Sequence, residues 1–439
     1  MHHFGLRDRV ELIRRAQTDA IGCPSLPVES GKMTSTVVTD VPAHVPKELI
    51  WNHDIDQFVN ELADPYDAAP RLHAGPDIVW TAGGYRGVPG WLLTRHDDIE
   101  AVYLDNEHFS PRDHFYSVFS EVLGVPWVFN PQAIDPPRHL GFRQVVQPYF
   151  QPGAVKRLEG TMREVCRALI ADLKGRRQFD YIDDFARFFP TTIFLDLMGL
   201  PRDNLEQFLQ WERTMVRGET NEIRRGAMRA IVDYLEDRVK ERRANPGTDL
   251  ISKVLAAKVD GKPLEHDDVM GMCSLLYAGG LDTVLGSMGW HMYRLVTEPE
   301  LQDRIRNYQG NMMDVVDELC RAYGVVRNRR RVVKDVELNG VQMKVGDWVN
   351  LPTMFASRDE RKFPNPNAID FSRKDRGMTF GGGIHYCLGI HLARMELKIV
   401  LEEVLAAFPN LRMQPGTNYE YHTVGVWGVE ALPVEWSPN

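Results

Sequence analysis

The chain has 439 residues, 26% of them charged and 43% hydrophobic, with a formal net charge of −9 and a pI near 5.9. That acidic balance gives no electrostatic reason to expect a nucleic-acid partner, and no segment approaches the run of about 20 apolar residues needed to cross a bilayer, so no membrane is expected either. The five cysteines, Cys23, Cys166, Cys273, Cys320 and Cys387, are odd in number and scattered, which suits a reducing compartment better than a disulfide framework.

Residues 1–40 begin with a charged stretch, Arg7 to Arg15, lack a hydrophobic core followed by a cleavage site, and pass into Gly, Pro and Ser. They read as a weakly ordered N-terminal extension. From residue 41 to 439 the composition is that of one large domain. Ile78–Thr81 and Trp91–Thr94 read as strands either side of a hairpin at Gly83–Gly87, and Asp97–Leu104 as a helix. Phe109–Pro137 has few periodic cues and many turn residues and aromatics (Phe115, Tyr116, Phe119, Trp127, Phe129), which predicts a long irregular loop of the kind that is usually functional. Asp135-Pro136-Pro137 then opens a helix that carries His139 and Arg143 four apart on one face.

Helical patterns follow over 154–173, 185–198, 205–216 and 221–242, an α-rich scaffold with no chemistry of its own. Asp267–Thr297 is the longest helical signal, apolar almost all round, and is predicted to run buried through the centre of the fold. Its middle holds Gly279-Gly280, costly inside a helix, then Asp282 amid apolar neighbours and Thr283, whose hydroxyl can bond a carbonyl one turn earlier. The combination predicts a local opening. In the next helix, 312–323, Glu318 and Arg321 share a face. Arg327–Arg331 is dense in arginine, Val332–Leu338 and Val341–Lys344 read as a hairpin about Asn339-Gly340, and Trp348–Leu351 as a further strand.

The stretch Phe380–Arg394 reads F-G-G-G-I-H-Y-C-L-G-I-H-L-A-R. Three consecutive glycines let the backbone turn tightly and lie against a flat partner. An apolar helix starts near Cys387 and stops before Pro409, so the cysteine is placed at a helix N-terminus, where free N–H groups and the dipole favour a thiolate.

This loop, the run Ala278-Gly279-Gly280-Leu281-Asp282-Thr283 and Glu318-x-x-Arg321 resemble, in order, three motifs of the cytochromes P450, and the resemblance extends from about Val41 to the C-terminus. It implies a mainly α fold with small β-sheets in a single haem-thiolate domain. It further implies haem b, with the iron held by Cys387, the loop residues Phe380, Gly381 and Gly389 against the ring, and His139, Arg143, Arg330 and His385 on the propionates. Thr283 would hold the hydrogen-bond network at the bound oxygen and Asp282 would connect it to solvent, because cleaving dioxygen needs two protons in order. Glu318 and Arg321 would be structural, with Arg373 or Arg358 completing their network. Leu140 departs from the usual small polar residue after the histidine.

Within the family, the soluble bacterial camphor and terpenoid hydroxylases are the most similar group, which implies a cytoplasmic enzyme. Trp127 stands where their roof tyrosine is expected. The implied substrate is a small apolar molecule, a monoterpenoid or norisoprenoid, packed against Trp127, Phe129, Leu275, Ala278 and Val326, with small aromatics or fatty acids as the alternative. The implied partners are O2 and a [2Fe–2S] ferredoxin with its reductase, docking near Arg138, Arg394 and Lys398. A haem-thiolate sensor would keep Cys387 but has no need of Asp282-Thr283.

Overall fold

Helices dominate the structure, a computed structural model that describes residues 41–85, 87–112, 122–423 and 425–438. The extension 1–40 and the loop aromatics Phe115, Tyr116 and Phe119 lie outside the described residues. Strands β1 (Ile50–Asp54), β2 (Ile78–Tyr85) and β3 (Val88–Leu93) are followed by helix α1 (His96–Leu104) and the short β4 (Phe109–Ser110). Two strands from far along the chain, β5 (Arg327–Val332) and β6 (Trp348–Pro352), complete a six-stranded sheet in the order β1-β2-β3-β6-β5-β4. β2 runs on through the predicted turn glycines to Tyr85, which pairs with Val88, and Gly84 is closely approached, a Cβ there standing 2.9 Å from the carbonyl oxygen of Val88.

The arginine run is itself a strand, earlier than the one predicted at 332–338, and pairs antiparallel with β6, Arg330 opposite Val349. Strand alternation sends its side chains two ways. Arg327 reaches Asp56 at 2.6 Å, and Arg329 and Arg331 lie over the ring of Trp348 at 3.9 and 4.6 Å. Asn328 and Arg330 face the other way. The predicted hairpin survives as Val336–Leu338 against Val341–Met343, with Asn339 and Gly340 both at positive φ, 49° and 80°.

The helical part begins with α2 (Arg138–Phe150) and α3 (Pro152–Leu173). Val155, Met162, Val165, Cys166, Leu169, Ile170 and Leu173 recur on one face of α3, and that face is buried. α4 (Phe188–Met198), α5 (Leu205–Arg217) and α6 (Asn221–Ala244) follow. The long helix predicted over 267–297 is two: α7 (His266–Gly280) and α8 (Asp282–Thr297), broken at Leu281 with φ −105° and ψ −69°. Thr283 Oγ1 donates to the Gly279 carbonyl at 2.9 Å, so the hydroxyl bridges the break. Among the described residues His266–Thr297 is the one stretch long and apolar enough to cross a membrane by composition, yet 56% of its most apolar window is buried against protein. α9 (Met312–Ala322), α10 (Ile390–Ala407) and the hairpin of β7 (Glu420–His422) with β8 (Gly428–Ala431) close the fold. One apolar cluster joins α3, α8, α9 and α10, and a second joins α2 with α4 to α7.

Candidate active site

The cysteine loop is shaped by its glycines. Gly381 and Gly383 have φ of 73° and 62°, in the left-handed region, and a Cβ on Gly383 would stand 2.2 Å from the carbonyl oxygen of Tyr103. The loop is thus pressed onto the end of α1. Cys387 N–H donates to Phe380 O at 2.9 Å, and the Gly389 N–H points at the sulfur. α10 starts only at Ile390, so Cys387 precedes the helix by three residues. The expectation of a dipole-favoured thiolate needs correction: burial pushes this thiol up, against the opposing pull of the Gly389 N–H and Arg143. A thiolate here calls for a bound cation.

Cys387 opens onto a cavity also lined by His139, Arg143, Arg330, Phe380, Gly381, His385 and Gly389, so all eight residues expected to hold the cofactor are brought together. Their chemistry asks for an anion. Arg330 is buried and donates only to the Arg329 carbonyl at 3.0 Å, and neither it nor Arg143 has a carboxylate partner among the described residues. His139 and His385 meet edge to face at 4.4 Å, with Nε2 of His139 and both ring nitrogens of His385 buried and unbonded. Burial, then Arg330, His139 and Arg143, hold His385 down to about 2, so it stays neutral. Desolvation likewise lowers Arg143 and Arg330. A buried cationic cradle with open donors beside a lone cysteine and a flat, side-chain-free loop fits a planar iron macrocycle carrying two carboxylates.

On the other wall, Leu275, Leu276, Gly279, Gly280 and Thr283 line the cavity from α7 and the start of α8, joined by Val325 and Val326. The spacing of that stripe leaves Ala278 on a different side of the helix, against the second core cluster. Trp127 and Phe129 are likewise placed away from the cavity: they stack at 6.2 Å inside that cluster, and the loop presents Pro131 and Gln132 instead. Asp282, partly buried, is not among the lining residues. Burial, then the charge of Glu212, opposed by that of Arg187, raises its carboxyl to about 7.

Glu318 and Arg321 form a two-pronged buried pair with both bonds at 2.8 Å. The open choice of third partner resolves to Arg373, which donates to Glu318 Oε1 at 3.1 Å, while Arg358 turns to the Ala322 carbonyl. Arg321 also donates to Ser357 O at 2.8 Å, which ties α9 to the segment leading into the cysteine loop.

Sequence reasoning missed several cavity residues. Tyr103 lies under Arg330 at 5.1 Å and accepts from Asn328 at 2.9 Å. Glu396, buried and held neutral, also lines the cavity, and an acid within the apolar stripe of α10 was the available signal. Ser287, one turn after Thr283, is on the same wall.

With this geometry in hand, the relatives agree. The family model "Cytochrome P450" matches residues 203–309 and 311–424. The chain is 34% identical to the probable cytochrome P450 127A1 of Sinorhizobium fredii, over 90% of this chain and 97% of that protein. It is 32% identical to the erythromycin C-12 hydroxylase of Saccharopolyspora erythraea, over 78% of this chain and 88% of that one. Among solved structures it is similar to cytochrome P450 CYP101C1, with a TM-score of 0.82 at 30% identity, covering 91% of this chain and all of that one. Members of that family bind haem through a cysteine thiolate and use O2, a redox partner and small substrates, and Cys387 with its cationic cradle meets those needs. The chain therefore belongs to the bacterial cytochromes P450 and is a haem-thiolate monooxygenase, an oxidoreductase.

Proposed function

We propose that this monooxygenase inserts one oxygen atom from O2 into a C–H bond of a small, largely apolar molecule, a monoterpenoid or norisoprenoid, using electrons from a separate [2Fe–2S] ferredoxin and its reductase in the cytoplasm. The observation that carries the substrate class is the cavity wall of Leu275, Leu276, Val325 and Val326, with Gln132 among the neutral polar side chains able to meet a lone oxygen function. When bound, haem supplies the redox chemistry that activates dioxygen. The chain's own residues do the rest. Cys387 would hold the iron through its sulfur, and His139, Arg143, Arg330 and His385 would hold the carboxylates. The Thr283 hydroxyl, anchored to Gly279 O, offers its lone pairs to the cavity and relays a proton that Asp282 supplies from behind the helix break.

The electron donor is proposed to be acidic and to meet the cysteine side of the molecule. Of the basic residues expected there, Arg394 is tied to Asp317 at 2.7 Å with its side chain 12% exposed, and Lys398 lies 3.6 Å from Glu402. Arg138 and Arg376 are also paired, with Asp268 and with the same Asp317, each at 2.9 Å, but more than half of each side chain remains exposed. They are the better contacts.

An optical titration of the ferric protein tests the substrate class. A saturable low-spin to high-spin change with monoterpenoids or norisoprenoids is the expected result. A change with small aromatics or fatty acids alone would move the assignment to those classes.

A further inference from the structure

The polar side chains of the cavity divide into those already committed and one that is open. Thr283 Oγ1 donates to Gly279 O, and Ser287 Oγ donates to Thr283 O at 2.8 Å. The Thr379 hydroxyl donates to Cys320 O, and the Asn328 amide donates to the Tyr103 hydroxyl at 2.9 Å. His139, Arg143, Arg330 and His385 form the cationic cradle, and Glu396 comes from α10, on the cysteine wall. Gln132 differs from all of these. It lines the cavity, and among the described residues its amide meets no donor or acceptor. An amide among apolar walls costs free energy until water or a ligand meets it.

The segment that carries Gln132 is fixed to α7. Asn130 Nδ2 donates to Asp268 Oδ1 at 3.0 Å, and a Cβ at Gly271 would collide with the carbonyl oxygen of Val128. Ala133 N–H donates to Phe129 O at 2.7 Å, and Ala133 and Ile134 are packed in the second apolar cluster. Gln132 is therefore held between anchored neighbours on the side of the cavity that α7 builds, the side that also presents Leu275 and Leu276. A polar group on so firm a support can orient a ligand whose remaining surface is apolar.

We propose that Gln132 is a specificity-determining residue: its amide hydrogen-bonds a single oxygen function of the substrate and so selects a mono-oxygenated apolar molecule over the hydrocarbon of the same skeleton. The side-chain N–H donates to a carbonyl, or the side-chain oxygen accepts from a hydroxyl. With that end held, the carbon attacked is set by its distance from the oxygen function. This deepens the proposed substrate class and rests on it for the skeleton alone.

The test is a spin-state titration of the ferric haem protein with two matched pairs, a bicyclic monoterpene ketone with its parent hydrocarbon and an aryl ketone with the alkylbenzene of the same skeleton. Gln132→Leu keeps the bulk and removes the hydrogen bond. The dissociation constant of the ketone should rise about ten-fold, while that of the hydrocarbon stays the same or falls. Gln132→Asn, which draws the amide back by one methylene, should give a smaller rise, and it carries the comparison if the leucine variant takes up no haem. Loss confined to the ketone supports the assignment, because a packing role would weaken both members of a pair. Equal losses, or none, overturn it. Loss confined to the aryl ketone, in a protein that ignores the terpene pair, upholds Gln132 and overturns the terpenoid reading. If neither ketone shifts the parent enzyme, a mono-oxygenated substrate of either class is overturned.

Discussion

Asp282 is the residue whose chemistry depends most on its surroundings. Its carboxyl is lifted from 3.8 to about 7 by burial and by Glu212, so between those values the folded chain keeps a proton that the unfolded chain releases. Native stability therefore falls as pH rises through that window. An Asp282→Asn variant carries no such cost, and its melting temperature should gain on the parent's between about pH 5 and about pH 8, by calorimetry. Thr283→Ala removes the hydroxyl at the break. We expect continued oxygen consumption with more of it released as peroxide than as product, read by a peroxide assay, and full coupling in the variant would refute the assigned role. Gly383→Ala would force a Cβ toward the Tyr103 carbonyl oxygen at a φ of 62°. Strain at such a position costs about 1–3 kcal/mol, and the cysteine loop would be displaced, lowering the haem-to-protein absorbance ratio of the purified enzyme.

Among the elements, α9 shows most clearly how a scaffold serves a site. The periodic pattern placed Glu318 and Arg321 on one face, but an exposed pair of that spacing is worth little. Here both are buried, and Arg321 and Arg373 satisfy Glu318 from two directions. Breaking a buried pair from one side costs about 3–5 kcal/mol, so Glu318→Gln should fail to accumulate as folded, haem-loaded protein, or should melt far lower. The helix break is the second case. Gly279-Gly280, the acid and the threonine announced an opening in the sequence, and the structure divides the helix there, α7 ending at Gly280 and α8 starting at Asp282. Strand β5 was less legible. Five consecutive residues with four arginines read as a solvated patch, and only the pairing of β5 with β6 shows that alternate residues serve the sheet and the cavity.

For the whole molecule, the arrangement of charge decides where an acidic partner can settle. Arg138→Glu and Arg376→Glu, made on exposed side chains, should raise the apparent KM for an acidic ferredoxin several-fold in steady-state assays and leave ferric-state substrate binding unchanged. Arg394→Glu should behave differently. Its guanidinium is packed against Asp317, so reversal should lower thermal stability before it alters partner affinity.

What the sequence determined by itself was whatever chemistry writes into local order. The glycine-rich cysteine loop, the broken central helix, the His139/Arg143 pair and the Glu318/Arg321 pair need particular residue types at fixed short spacings, and backbone geometry translates those spacings directly into shared faces and turns. Only the tertiary structure decided questions of long-range neighbourhood. It chose Arg373 over Arg358, stacked Trp127 on Phe129 inside an apolar cluster, and brought Arg187, Glu212 and Glu430 together from distant parts of the chain. The physical reason is that burial and Coulomb interactions act through space: the same acid is ordinary in a list of residues and strongly perturbed once apolar helices exclude water from it.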